Sequence, residues 1–168
     1  EQGYVTVIHD HRGHGKSVRK KEDLGYMYGS GAEGMLKDIG KVNRDIRKYF
    51  PDLPLILMGH SMGSRAVRAF AGKHDDCMDM LIVCGSPSEN KARLLGEMIA
   101  KTEGKLLGYR HKSNVLESLS FGSYVWKFRK EKNPNAWTCS DPEVYEAYSD
   151  SELCGFTFSD DAYLALFE

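Results

Sequence analysis

In the first half of the chain, short continuous apolar runs alternate with apolar residues at helical spacing. Tyr4-Val5-Thr6-Val7-Ile8 is β-branched and aromatic, and the polar, glycine-bearing stretch from Asp10 to Ser17 closes it, which predicts a buried strand running into a loop. From Ala32 to Phe50, the residues Leu36, Ile39, Val42, Ile46 and Phe50 recur at steps of three and four, placing them on one helical face until Pro51 and Pro54 stop the helix. Leu55 to Met58 predicts a second strand. Ser64 to His74, with Ala66, Val67, Phe70 and Ala71 on one side, predicts a helix that begins just after Ser61. Met80 to Cys84 predicts a third strand, closed by Gly85-Ser86-Pro87. Strand, helix, strand, helix, strand in this order implies an α/β fold, a parallel sheet covered on both faces by helices.

Beyond Pro87 the pattern turns helical and aromatic, with no convincing strand. Glu89 to Thr102 and Asn114 to Phe121 predict helices, Tyr124 to Lys132 is mixed, and Asp141-Pro142 opens another helix with Pro142 at its first position. The expected organisation is therefore a partial α/β core over residues 1–87 followed by a helical segment over 88–168.

Composition narrows the function classes. The 168 residues are 41% hydrophobic, enough for one sizeable core, and 23 basic against 24 acidic side chains leave a net charge of -1. Near-cancelling charge gives no global footprint for nucleic acid or an anionic membrane, and basic clusters such as Arg19-Lys20-Lys21 read as solvated faces. No apolar run approaches the roughly 20 residues of a membrane span. Cys77, Cys84, Cys139 and Cys154 lie far apart, without zinc-site spacing, and read as reduced thiols of a cytoplasmic protein.

The chemistry concentrates at Gly59-His60-Ser61-Met62-Gly63. This G-x-S-x-G lies between a predicted strand and a predicted helix, the context in which such a serine occupies a sharp, strained turn as a nucleophile elbow. Gly59 and Gly63, with His60 between strand and serine, let the two backbones approach. Negative charge developing on a tetrahedral intermediate is stabilised at the start of the following helix, and the Met62 N–H is the expected oxyanion donor. The competing reading of Ser61 is a plain helix N-cap, a position serine favours.

Four stretches together resemble the monoacylglycerol lipase and lysophospholipase branch of the α/β-hydrolases, often labelled serine aminopeptidase-like. They are Asp10-His11-Arg12-Gly13-His14-Gly15-Lys16-Ser17, similar to that branch's D-x-R-G-H-G-x-S loop; Leu53-Pro54-Leu55 through Ser64, similar to its strand and elbow; and Trp137 to Pro142 with Leu153-Cys154-Gly155-Phe156, similar to a helical cap of bacterial members. The resemblance implies that Ser61 attacks carboxylic esters through an acyl-enzyme, with lipid-like monoacyl esters such as monoacylglycerols or lysophospholipids as the small-molecule substrate. It implies no metal or organic cofactor and no nucleic-acid partner. It also implies an H-G oxyanion loop ahead of Glu1, and an acid and then a histidine beyond Glu168, so that this chain lacks the general base and acid. Aminopeptidase, thioesterase and acyltransferase activities share the elbow, and an inactive or merely ligand-binding relative is the alternative outside enzymes.

Other candidates fall away on sequence grounds. His74 lies about three helical turns beyond Ser61, roughly 20 Å along the helix, and His111, between Arg110 and Lys112, reads as a solvated surface residue. Asp141, Asp150, Asp160 and Asp161 lie in the cap-like sequence. Gly29 to Gly34 satisfies G-x-G-x-x-G but follows no strand. Gly15-Lys16-Ser17 has a carboxylate, Asp10, where a P-loop needs its first glycine. His9, His11 and His14 read as loop hydrogen-bonding groups. Phe121, Tyr124, Trp126, Phe128 and Trp137 either roof an acyl chain or pack as the helical segment's own core.

Overall fold

The computed structural model describes residues 3–87 and 92–168. They form two units that do not follow chain order: one takes in the described residues of 1–11 and 30–90, the other those of 12–29 and 91–168.

In the first unit, helix α1 (Gly31–Tyr49) buries Met35, Leu36, Ile39 and Asn43 on its inner face and ends just before Pro51. Strand β1 (Ile56–His60), helix α2 (Met62–Ala71) and strand β2 (Met80–Cys84) follow. The strands pair in parallel, from Ile56 opposite Met80 to His60 opposite Cys84. Asp79 fixes where they begin, because its Oδ2 accepts from the Leu55 N–H at 2.7 Å and from Arg47 of α1 at 2.7 Å. Helix α2 lies on the sheet face of Leu57 and Gly59, burying Ala66, Val67 and Phe70, of which Val67 and Phe70 each contribute about 1.5–3 kcal/mol. Helix α1 packs on α2, where a Cβ on Gly40 would sit 3.3 Å from the Phe70 ring. Ile56, Met58, Met80 and Ile82, on the other sheet face, are exposed.

Tyr4 to Ile8 departs from expectation. The segment forms no strand among the described residues, whose sheet is the β1–β2 pair. A strand requires a partner as well as β-branched residues.

The second unit is helical. It contains α3 (Arg93–Leu107), α4 (Asn114–Lys127), α5 (Pro142–Asp150) and α6 (Asp160–Phe167); Glu89 to Lys91 of the expected third helix lie outside the described residues. Asp141 caps α5 by accepting from the Glu143 N–H at 3.0 Å, with Pro142 first in the helix as its sequence implied. Ser113 and Ser159 cap α4 and α6 in the same way. Helix α6 lacks the amphipathic spacing that would predict it from sequence. Its Tyr163 packs with Ala100 of α3 and Leu116 of α4 to form the core.

Residues 12–29 belong to this unit because specific polar contacts tie them to it. The Gly25 carbonyl accepts from the Ser159 N–H and hydroxyl, both at 2.9 Å, and the Gly29 N–H donates to Asp161 at 3.0 Å. Asp23, 1% exposed, pairs with Arg110 and accepts from the Tyr28 hydroxyl at 3.2 Å. The Arg110 guanidinium also lies 4.2 Å over the Tyr26 ring.

Burial alone would raise the Asp23 carboxyl, but hydrogen bonds from Arg110 and Tyr28, with the guanidinium charge, outweigh it and hold the group below the usual carboxylate range. The resulting stabilisation is therefore complete above about pH 4, the unfolded carboxylate range, and is lost as pH falls through the lower folded value. Both tryptophans, Trp126 and Trp137, are in this unit, so their fluorescence reports its unfolding. Urea titrations should find Asp23→Asn less stable than the natural sequence at pH 7, with the gap narrowing below about pH 4; parallel curves across that range would contradict the ion-pair account.

Candidate active site

At the carboxyl end of β1 the chain turns through Ser61 directly into α2. Ser61 has φ 51° and ψ -117°. Tyr28 and Lys132 are the other two non-glycine residues with positive φ among the described residues. The ψ of Ser61 places it outside the left-handed helical well, in a region that costs a non-glycine residue on the order of 1–3 kcal/mol.

The surroundings hold that conformation from both sides. The Ser61 N–H donates to the Cys84 carbonyl at 3.0 Å, so the turn is anchored to the end of β2. The Ser61 carbonyl accepts from the Ser64 N–H at 3.0 Å and from the Ser64 hydroxyl at 2.5 Å. Ser64 is fully buried, and its role was not apparent from the sequence; a hydroxyl three residues into the helix was the available signal.

The two glycines have unequal tasks. A Cβ on Gly59 would lie 2.6 Å from Val67 Cγ2 and closer still to the Gly63 carbonyl, so strand and helix backbones touch where Gly59 has no side chain. A Cβ on Gly63 would meet only His11 Nε2, at 3.7 Å, an ordinary contact. His11, the second residue of the Asp10 to Ser17 loop sequence, thus stands beside the first turn of α2. His60 is exposed, its ring next to Gly85.

The capping reading fails, because the Ser61 side chain makes no capping hydrogen bond and its backbone is not extended. Its side chain is exposed at the turn. Met62 is the first residue of α2, so its N–H has no acceptor four residues back within the helix. An exposed hydroxyl, an N–H at a helix start and a backbone held rigidly between them suit nucleophilic attack on a carbonyl.

The remaining sequence candidates are placed elsewhere. His74 follows α2 at the end away from Ser61, its ring 4.9 Å from that of Phe70. It borders a groove of about 350 Å³ between α1 and α2, lined also by Lys37, Arg44 and Lys73, which contains no elbow residue. His111 is a correction: it is half-buried in the second unit, with Nδ1 3.2 Å from Asp160 Oδ2, rather than solvated. His14 packs edge-on against Phe156 and Phe158 with Nδ1 3.0 Å from the Arg12 carbonyl, in keeping with a loop role. Gly15–Ser17 is a single tight turn, and Gly29 to Gly34 follows turns rather than a strand. Among the aromatics, Phe121 and Tyr124 both stack on Trp137, at 5.4 and 5.2 Å, while Trp126 is exposed beneath Arg129. The four cysteines are free thiols.

The family model for serine aminopeptidase, S33, matches residues 1–168. The chain belongs to this hydrolase family. A monoglyceride lipase homolog of monkeypox virus is 35% identical over 69 residues, covering 37% of this chain and 21% of that protein. A highly thermostable carboxyl esterase from Bacillus coagulans, solved in complex with glycerol, shares 24% identity at a TM-score of 0.81, over 94% of this chain and 52% of the esterase. The S33 chain thus spans about half the length of the esterase and about a fifth of the viral relative. The structural likeness, with the family match, bears out the α/β-hydrolase fold that the elbow motif and the family resemblance implied. Among the described residues, no helix is long and apolar enough to cross a membrane.

The unequal glycines yield a stability test. Gly59→Ala should destabilise the first unit by about 1–3 kcal/mol or more, because two backbones must separate. Gly63→Ala should fall within about 0.5 kcal/mol of the natural sequence. Chemical denaturation followed by circular dichroism distinguishes them, and equal effects would contradict the asymmetry.

Proposed function

We propose that Ser61 is the nucleophile of a carboxylic ester hydrolase that acts on lipid-like monoacyl esters. The observation that carries this reading is the strained, doubly anchored conformation of Ser61 at the end of β1, with its hydroxyl unused by the helix. Strain of this kind persists where surrounding structure over-determines it, and the anchoring by Cys84 and Ser64 supplies that over-determination.

In the proposed reaction Ser61 Oγ bonds to the ester carbonyl carbon as a base takes its proton, and the carbonyl oxygen, now negative, accepts from the Met62 N–H. Collapse of the intermediate breaks the bond to the alcohol, which leaves with a proton. Water then adds to the acyl-enzyme, releasing the carboxylic acid and restoring the Ser61 hydroxyl. The base and its orienting acid are assigned to no residue of this chain. The nearest-looking pair, His111 and Asp160, runs histidine before acid, the reverse of the order serine, acid, histidine in this fold.

The preference for esters of a single acyl chain draws on the name of the viral relative, a monoglyceride lipase homolog, and the bacterial neighbour's description as a carboxyl esterase supports ester chemistry. A second reading, hydrolysis of an N-terminal aminoacyl bond, is favoured by the description of the family itself. We place the catalytic core within residues 1–87 and a helical cap over 88–168, with residues 12–29 packed into the helical unit.

Turnover of a long-chain monoacylglycerol, a short p-nitrophenyl ester and an aminoacyl anilide separates these readings. The expected result is a preference for the monoacylglycerol that falls at least about a thousandfold in Ser61→Ala. Preference for the anilide, or activity retained by Ser61→Ala, would overturn the proposal.

A further inference from the structure

Away from the elbow, three side chains of metal-ligating type converge in the second unit. Glu103 projects from α3, His111 from the turn that follows it, and Asp160 from the first turn of α6, with one ligand atom of each within 4.8 Å of the others. His111 Nδ1 lies 3.2 Å from Asp160 Oδ2 and 3.9 Å from Glu103 Oε2. Residues 103, 111 and 160 share no short motif, so the sequence did not announce them.

A second observation concerns what these groups lack. The Asp160 side chain has 0% exposure, yet its Oδ1 has no hydrogen-bond partner, and neither has the buried Glu103 Oε2. A buried carboxylate oxygen without donor or cation is costly, and two carboxylates at this range repel one another. Arg110, one of the two cations that flank His111 in sequence, is engaged by Asp23.

We propose that Glu103, His111 and Asp160 form a three-ligand site for Zn²⁺. One imidazole nitrogen and two carboxylate oxygens make a mixed donor set that suits zinc, whereas magnesium and calcium take all-oxygen shells and copper(I) takes sulfur. Tetrahedral ligands about 2.0–2.2 Å from zinc stand roughly 3.3–3.6 Å apart, so separations of 3.2 and 3.9 Å, with all three atoms within 4.8 Å of one another, come into range by side-chain rotation. His111 would bind through Nδ1 with its proton on Nε2, and water would complete the shell. The backbone is already set for this, because the Asp160 N–H donates to the His111 carbonyl at 2.9 Å and the His111 N–H to the Gly108 carbonyl at 2.8 Å. Zinc there joins α3, the turn after it and α6, and acts as a structural staple of the helical unit rather than in ester cleavage.

The test uses the intact chain, freed of metal by dialysis against a chelator and titrated calorimetrically with zinc chloride. The expected result is one equivalent bound and a higher midpoint for the thermal transition seen by tryptophan fluorescence, with magnesium chloride producing neither. Glu103→Gln and His111→Gln, at partly exposed positions that tolerate an amide, should stay folded and bind zinc at least about tenfold more weakly. His9→Gln should bind as the natural sequence does. Absence of zinc binding by the folded protein, as a proton shared between the two carboxyls would give, overturns the proposal. So does equal binding by the Glu103 and His111 variants, which would place the ion elsewhere.

Discussion

Strand β1 and helix α2 meet so closely at Gly59 that no side chain fits between them, and the geometry of the elbow follows from that contact. With the Gly63 carbonyl and Val67 against Gly59, only one residue-wide turn remains to reverse the chain, and Ser61 occupies it. Its positive φ is the local consequence. Ser64, buried three residues on, holds the Ser61 carbonyl, and the end of β2 holds its N–H. An unfavourable conformation of one residue is thus offset by packing and hydrogen bonds spread over two strands and a helix, which also leave the serine hydroxyl outside the hydrogen-bonding of the helix.

Much of this was legible from residue order because the interactions are local. Apolar runs of four and five residues marked β1 and β2, three- and four-residue spacing marked α1, and glycines flanking a serine marked the elbow. What the sequence hid depends on partners far away in the chain. Tyr4 to Ile8 has the composition of a strand, but ladder pairing decides whether it becomes one. His111 looked solvated between two basic residues, yet Arg110 is drawn to Asp23, 87 positions earlier, and His111 to Asp160, 49 positions later. Helix α6 carries apolar residues on most sides and so lacked the amphipathic period that exposed α1.

The same distinction explains the loop that follows Tyr4 to Ile8. His11, at the start of that loop, stands beside α2. From Arg12 onward the segment is part of the helical unit, fixed by the Asp23–Arg110 pair and by the close approach of Gly25 to the Thr157 carbonyl. Gly25 has φ 82°, and a Cβ there would lie 2.7 Å from that carbonyl oxygen, so the glycine is required by packing as well as by backbone angle. Buried polar groups do much of the organising in this unit: Asp23, Ser113, Ser159 and Asp161 each have a defined partner, and the open valence at Asp160 stands out against them.

The central claim is that this elbow presents Ser61 as the nucleophile. Treating the folded protein with a fluorophosphonate and mapping the adduct by peptide mass spectrometry tests it most directly. The account predicts a single covalent adduct on Ser61, absent from Ser61→Ala and lost when Gly59→Ala disturbs the turn. A folded protein that takes no label, or takes it on another serine, would contradict it.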